Sequence, residues 1–321
     1  MREINQQHDC SAILPTDVNS ALFLSQHYEA LSKNLYVTPV PDAAIIRILD
    51  NKWDFYQLLQ RIEQPSPRTV LINSKEDGVP EDFKFPALSK PLQQGGGIGI
   101  LHHRSAQDFA NSRASMELPA ILQEFIPGPD IDCSLLSING EIKAWTIQQH
   151  VYGGLEFVRH DEVLSICSQI VSDIHYTGVT HFDLRIDERN QKPGVLECNP
   201  RFWATTFRSM QVGVNFPVLL LKYTQEEPLN EVMMIKNETW IATKLKIMMK
   251  EFILSGNKRY RWKPFISSYR GYLRRNLAGE VYRIMLGRNE RLASRWLQQS
   301  LKYGYTHKIE RMGDAVSADP N

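Results

Sequence analysis

Long apolar runs are missing from this 321-residue chain: none approaches the 18 or more residues of a membrane span, and the first ten residues are polar rather than signal-like. A cytoplasmic protein with no transmembrane segment is expected. Cysteine is also scarce. The four thiols, at 10, 133, 167 and 198, have no C-x-x-C or metal spacing and three fall within apolar patterns, so buried free thiols are expected. That spacing argues against a disulfide framework and against zinc. Zinc-finger spacing and aromatic-rich RNA motifs are lacking too, so no nucleic-acid partner is expected.

The balance that is present, 42% hydrophobic and 23% charged residues, is that of a globular protein long enough for two or three packed units. Its formal net charge of +1 hides an asymmetry. From Glu231 to Asn321 there are 18 Lys plus Arg against 8 Asp plus Glu, leaving 19 basic and 28 acidic residues for Met1 to Asn230. Basic residues spread along helices read as a solvated face, although such a tail also suits an acidic partner or an anionic membrane.

The chain is organised around the stretch from Val179 to Thr206. In His181-Phe182-Asp183-Leu184-Arg185, strand alternation puts 181, 183 and 185 on one face and Phe182 and Leu184 on the other. A second strand repeats the pattern. Val195, Glu197 and Asn199 should share a face, opposite Leu196 and Cys198, with Asp187 to Pro193 as the connecting turn of a hairpin. If these strands pair, Asp183, Glu197 and Asn199 converge as hard oxygen ligands of the kind Mg²⁺ takes while it also shares nucleotide phosphates. The competing reading is an amphipathic hairpin with solvated acids.

Ahead of that hairpin, Ser11 to Asp17 reads as a short strand and turn, and Ala21 to Leu31 as a helix. Within Asp42 to Ile62, Ile45, Ile46, Leu49, Trp53, Tyr56 and Leu59 recur at helical spacing, with Lys52 among them. Phe85 to Ile100 reads as a strand carrying Lys90, then a glycine cluster, Gly95, Gly96 and Gly97, then a second strand. Glycines allow backbone amides close to phosphate oxygens, and a strand lysine adds a point charge. This is not a Walker loop, because the lysine precedes the glycines. Ala120 to Leu136 reads as strand, Pro-Gly-Pro turn and strand, a shape that suits an adenine slot with Asp130 beyond the turn for the ribose. The bland alternative is a plain strand-turn-strand. Lys143 to His150 is expected as a strand after an Asn139-Gly140 turn, and Asp161 to Tyr176 as a helix packed behind the two site strands.

Taken together and in order, "ILPTD", "DNK", "FPALSKP" with "GGGIG", "LQEFIPGPDID", "HFDLRID" and "LECNPRFW" resemble the ATP-grasp superfamily of carboxylate-amine ligases from about Ile13 to Thr224. The E-x-N-P-R element is most similar to the carbamoyl phosphate synthetase and biotin carboxylase branch. The resemblance implies an α+β ATP-grasp fold, with two α+β lobes clasping the nucleotide. It implies a division into a remnant N-terminal α/β unit (1–48), an ATP-grasp domain (49–229, lobes about 49–121 and 122–229) and a helical basic region (230–321).

Carried over residue by residue, the resemblance implies that Lys52 and Lys90 contact the phosphates of ATP under Gly95, Gly96 and Gly97. Gln123, Glu124, Phe125 and Ile126 would form the adenine hinge, and Asp130 would bind the ribose. Asp183, Glu197 and Asn199 would hold Mg²⁺, with Mn²⁺ as a substitute. Arg201 would stabilise the transferring phosphoryl group, and Arg185 would bind the substrate carboxylate. The implied chemistry joins a small carboxylate to an amine through an acyl phosphate, with a homodimer left open. His181 reads as a bystander that could tune Asp183. Two departures stand out: the N-terminal unit looks truncated relative to the family, and the region from Asn230 onward matches nothing named. The other functional class to weigh is a catalytically silent ATP-binding scaffold whose basic tail docks a partner or membrane.

Overall fold

The chain is described by a computed structural model over residues 11–151, 154–227 and 229, with the backbone alone for 239–242. Cys10 and most of the helical region expected over 230–321 lie outside the described residues; within that region Trp240 and Ile241, expected to be helical, are in a strand, Thr239–Ala242. Among the described residues, no helix is long and apolar enough to cross a membrane.

The chain starts with two short parallel strands, β1 (Ala12–Ile13) and β2 (Tyr36–Val37), joined by helix α1 (Val18–Leu31). Asp17 starts α1 by accepting the Ser20 N–H at 2.7 Å, while the Ser20 hydroxyl accepts the Asp17 N–H at 3.1 Å, a reciprocal cap. Next come α2 (Ala43–Asp50) and α3 (Lys52–Arg61). The single helix expected over 42–62 is therefore two. Asn51 is extended, at φ −89 and ψ 116, and its side chain accepts the Trp53 and Asp54 N–H groups, so it ends one helix and caps the next. Beyond this break the buried face moves to Phe55, Leu58 and Leu59, and Lys52 becomes the first residue of α3.

A four-stranded antiparallel sheet follows, in the order β3 (Thr69–Ile72), β6 (Ala120–Glu124), β4 (Ala87–Pro91), β5 (Leu101–His103), with α4 (Ala106–Ser112) between β5 and β6. Its core is Ile72, Phe83, Ala87, Phe109, Ala120 and Leu122. The glycine cluster lies in the connection between the paired strands β4 and β5.

The larger sheet has six strands. In chain order they are β7 (Asp130–Ile138), β8 (Glu141–Val151), β9 (Gly154–Phe157), β10 (Gly178–Ile186), β11 (Pro193–Asn199) and β12 (Thr239–Ala242), arranged β11-β10-β7-β8-β9-β12. The β7–β8 hairpin turns through Asn139 and Gly140 with φ of 50 and 80, the left-handed pair that an Asn-Gly turn favours. Helix α5 (Asp161–Asp173) covers one face, and Val163, Cys167 and Ile170 pack there with Cys133, Leu135, Ile147, Phe182 and Leu184. It packs against β7 and β8 and, as expected, behind β10, while α2 and α3 cover the back of β11. The opposite face ends in a second apolar cluster, in which Trp203, Phe216 and Leu220 close over Leu136 and Val179. Phe216 and Leu220 come from α7 (Phe216–Thr224), which follows α6 (Thr206–Gln211). Beyond that cluster the same face is polar and opens as a cleft toward the small sheet.

Candidate active site

The floor of the cleft is the β10–β11 pair, in which Asp183 lies directly opposite Glu197 and His181 opposite Asn199. The parity expected for β10 is seen: Phe182 and Leu184 are in the core. That expected for β11 needs one correction. The register slips so that Leu184 faces Val195, leaving Leu196 as an extra residue in a bulge. Val195 consequently joins the core with Cys198, whereas Leu196 and Glu197 both turn toward the cleft.

Burial, together with the adjacent Asp183 charge, pushes the Glu197 carboxyl above its usual range, against the pull of Lys52. The two side chains lie within hydrogen-bonding reach of each other. Such a pair is the chemistry a divalent cation fits, since a cation removes the repulsion. Asn199 is oriented differently from the expectation. Its amide nitrogen donates to Asp183 at 3.0 Å and its oxygen accepts from Arg201 at 2.8 Å, so it could ligate a cation only after its carboxamide turned over. Arg201 is anchored further by donating to the Phe202 carbonyl at 2.9 Å.

Two lysines flank the acids. Lys90, on the small sheet, is only 5% exposed and donates to the Gln123 carboxamide oxygen at 2.8 Å; Gln123 in turn donates to Thr69 at 3.1 Å. Burial pulls Lys90 down to about 8, with Glu197 opposing the shift. Lys52 is held by the α3 cap. Its ammonium donates to the Gln94 carbonyl at 2.6 Å and lies 3.6 Å from Glu197, which ties the glycine loop to the Asp183–Glu197 pair. Gly96 and Gly97 have φ of 66 and 78, and nothing lies within 4 Å of where their side chains would begin. The Arg201 guanidinium comes to 3.7 Å of the corresponding point at Gly95.

The crossing between the sheets, residues 125–129, forms the far wall. Phe125 N–H donates to the Pro86 carbonyl at 2.9 Å, whereas Ile126 N–H has no acceptor among the described residues and is free for a ligand. Gly128 has φ 134, and a Cβ there would lie 2.0 Å from the Ile186 carbonyl oxygen, so this turn requires glycine. Asp130 and Arg185 are bound to each other, with the guanidinium also donating to the Ile126 carbonyl at 3.2 Å and lying 5.0 Å over the Phe125 ring. Arg185, expected to bind a substrate carboxylate, has partners on the protein itself. Its guanidinium is engaged in clamping the hinge, held by Asp130 and the Ile126 carbonyl. Asp130 is half-committed to the same clamp.

Three residues matter more than the sequence suggested. Asp132 and His150 project from β7 and β8 onto the cleft floor beside His181. His150 Nε2 lies 2.7 Å from the Asp132 carboxylate, and His181 Nε2 lies 3.1 Å from Asp183 and 3.8 Å from Asp132. Burial opposes the charge of Asp132, but the His150 hydrogen bond, the His181 charge and Gln148 outweigh it and hold the carboxyl below its usual range. The same bond raises His150. Asp132 stands two residues after Asp130 on one strand, so alternation alone pointed it to the same face. Its pairing with His150 is long-range and left no mark in the sequence.

Two cavities share this site. One, of about 300 Å³, runs from the hinge past Leu196, Lys90 and Asp183. The other, of about 440 Å³, is walled by Asp17, Arg47, Asp50, Asn199 and Arg201. Lys52, Gln94 and Glu197 border both.

Two sheets clasping a cleft with acids on paired strands define the ATP-grasp fold. The comparisons with known proteins agree. The family model described as "ATP-grasp in the biosynthetic pathway with Ter operon" matches residues 117–245. A D-aspartate ligase of Enterococcus faecium is 23% identical over 230 residues, which is 61% of this chain and 54% of that protein. Among solved structures, N5-carboxyaminoimidazole synthetase of Staphylococcus aureus superposes with a TM-score of 0.59 at 15% identity, covering 80% of this chain and 72% of that one. Biotin carboxylase of Campylobacter jejuni gives a TM-score of 0.57 at 15% identity, with 71% and 57% covered. The chain has the ATP-grasp fold and matches an ATP-grasp family model over part of its length, and it spans about half the length, 54%, of the D-aspartate ligase it is similar to.

Proposed function

We propose that the chain is an ATP-dependent ligase that activates a small carboxylate as an acyl phosphate for attack by an amine. The observation that carries this reading is the meeting of the two cavities at Lys52, Gln94 and Glu197, between Lys90 on one side and Arg201 on the other. In this reading the adenine rests between the hinge and Leu196, its edge bonded to the free Ile126 N–H, and the triphosphate runs toward Lys90 and Lys52 under the glycine loop. Asp183 and Glu197, joined by Asn199 once its amide turns, would hold Mg²⁺ or Mn²⁺, which when bound neutralises charge on the phosphate oxygens.

The second cavity takes the acid. Its carboxylate oxygen attacks the γ-phosphorus, the bond to the β,γ-bridging oxygen breaks, and ADP leaves with that electron pair. Lys90 and Lys52 hold the phosphate oxygens in place, and Arg201 offers a fixed guanidinium to the transferring group and then to the acyl phosphate. The amine next adds to the acyl carbon, loses a proton and expels phosphate. Its nitrogen reaches the site along the wall formed by Arg47 and Asp50. No covalent bond to the protein is required.

The silent-scaffold alternative gives no reason to crowd two carboxylates against two buried ammonium groups. The test is ADP release from Mg-ATP across a panel of carboxylic acids and amino acids, offered singly and in pairs. Absence of substrate-stimulated ADP under every pairing would overturn the ligase reading.

A further inference from the structure

We propose that the cleft floor carries a second cation site, built from Asp132, His181 and Asp183 with His150 as an outer partner holding Asp132, that takes an imidazole-accepting divalent ion such as Mn²⁺ or Zn²⁺ in preference to Mg²⁺. The donor atoms of Asp132, His181 and Asp183 all lie within 4.8 Å of one another, and the His150 nitrogen lies 2.7 Å from the same Asp132 oxygen. Ligands about 2.1 Å from a metal stand roughly 3.0 to 3.4 Å apart at neighbouring corners of an octahedron or tetrahedron. The separations of 3.1 and 3.8 Å from His181 to the two carboxylates match that spacing to within a few tenths of an ångström.

The surroundings orient these groups as a metal's outer partners do. Ser134 Oγ meets His181 Nδ1 at 2.9 Å, which turns Nε2 toward the acids. Trp203 stacks on that ring at 5.1 Å, nearly parallel. Gln148 donates to Asp132 at 2.9 Å and is itself tied to Thr205 at 2.8 Å. Asp132 and His181 are buried, but His150 is 49% exposed, so an ion can enter along the cleft past it. An imidazole among three donors disfavours Mg²⁺, which seeks oxygen, and favours ions that accept nitrogen. Asp183 would be common to this site and to the Asp183–Glu197 pair, which brings a nitrogen-bound ion next to an oxygen-bound one.

Protons on the imidazoles would give the same distances in a purely hydrogen-bonded network, and the experiment separates the two. Full-length protein stripped with a chelator is titrated with MnCl₂ without nucleotide, and bound Mn²⁺ is examined by pulsed electron paramagnetic resonance for coupling to ¹⁴N. Nitrogen coupling is expected in the wild type and in Glu197→Gln. It should disappear in His181→Gln, with Mn²⁺ affinity at least about tenfold weaker. His150→Gln lies on the rim, where it leaves the core untouched, and should weaken binding while the melting temperature stays at the wild-type value. Bound Mn²⁺ without ¹⁴N coupling, no Mn²⁺ binding until ATP is added, or unchanged affinity in both histidine variants would overturn the site. Because no nucleotide is present, nitrogen coupling in a protein that never releases ADP leaves this site standing and removes the ligase reading. ADP release without nitrogen coupling does the reverse.

Discussion

Replacing Lys90 by Met should make the nucleotide-free protein more stable while removing its response to ATP. Lys90 is 5% exposed and its ammonium, ordinarily near 10.5, is pulled to about 8 by burial. At about 1.36 kcal/mol per pH unit, that displacement corresponds to about 3 kcal/mol of penalty for holding the charge inside the cleft at neutral pH. Met matches the lysine stem in volume, so the substitution opens little cavity. The charge penalty is already net of the attraction to Glu197, but the substitution also forfeits the bond to Gln123, which reduces the gain to roughly 1–2 kcal/mol. In a unit of this size that is about 3 to 6 °C in melting temperature.

The pH dependence has a definite sign. Below about pH 8 the lysine is charged in both folded and unfolded chains, and the penalty is complete. Between about 8 and 10.5 the unfolded chain binds more protons than the folded one, so wild-type stability rises relative to the variant. Melting curves with and without Mg-ATP from pH 7 to 10 would show the gap closing as pH rises, with ATP raising the melting temperature of the wild type alone. A Lys90→Met protein that melts at or below the wild type near pH 7, or that still gains stability from ATP, would refute the reasoning.

Other substitutions probe the remaining parts. Glu197→Gln should abolish Mg-dependent ADP formation and leave the circular dichroism spectrum unchanged; wild-type turnover would remove Glu197 from the cation site. Leu196→Ala deletes apolar surface from the floor of the first cavity and should weaken ATP binding by about 1–2 kcal/mol, or five- to thirtyfold in Kd by calorimetry. Gly128→Ala would drive a methyl group into the Ile186 carbonyl, 2.0 Å away, and should lose several kcal/mol in a denaturant titration; a midpoint near the wild type would contradict the strained turn. Burial raises the thiols of Cys167 and Cys198, so neither should react with a disulfide reagent at pH 8 until the protein unfolds.

Much of this was legible because β-strands impose a period of two. His181, Asp183, Phe182 and Leu184 fall on the faces that alternation assigned, and the glycine cluster lies between paired strands as its composition suggested. The failures share a cause. The bulge at Leu196 breaks the period without changing the composition of the strand. Asn51 likewise divides one apolar stripe into two helices, because a side chain able to cap two N–H groups outweighs continuing hydrophobic spacing. Nothing local revealed that Asp130, 55 residues away, would hold Arg185. The Asp132–His150 contact depends on the register of two strands, which the sequence does not state.

One inserted residue in β11 has a consequence for how this cleft can change. In a regular strand consecutive residues point to opposite faces, so Leu196 and Glu197, adjacent in sequence, could not both face the cleft without the extra residue. The surplus position removes that restriction, letting the seat for a flat ring and the anchor for a charged tail sit shoulder to shoulder. Removing Leu196 would straighten the ribbon and leave both acids facing each other, but the ring would lose its seat. In the proposed reading, variation around this position would retune which base is held while the phosphate end stays as it is.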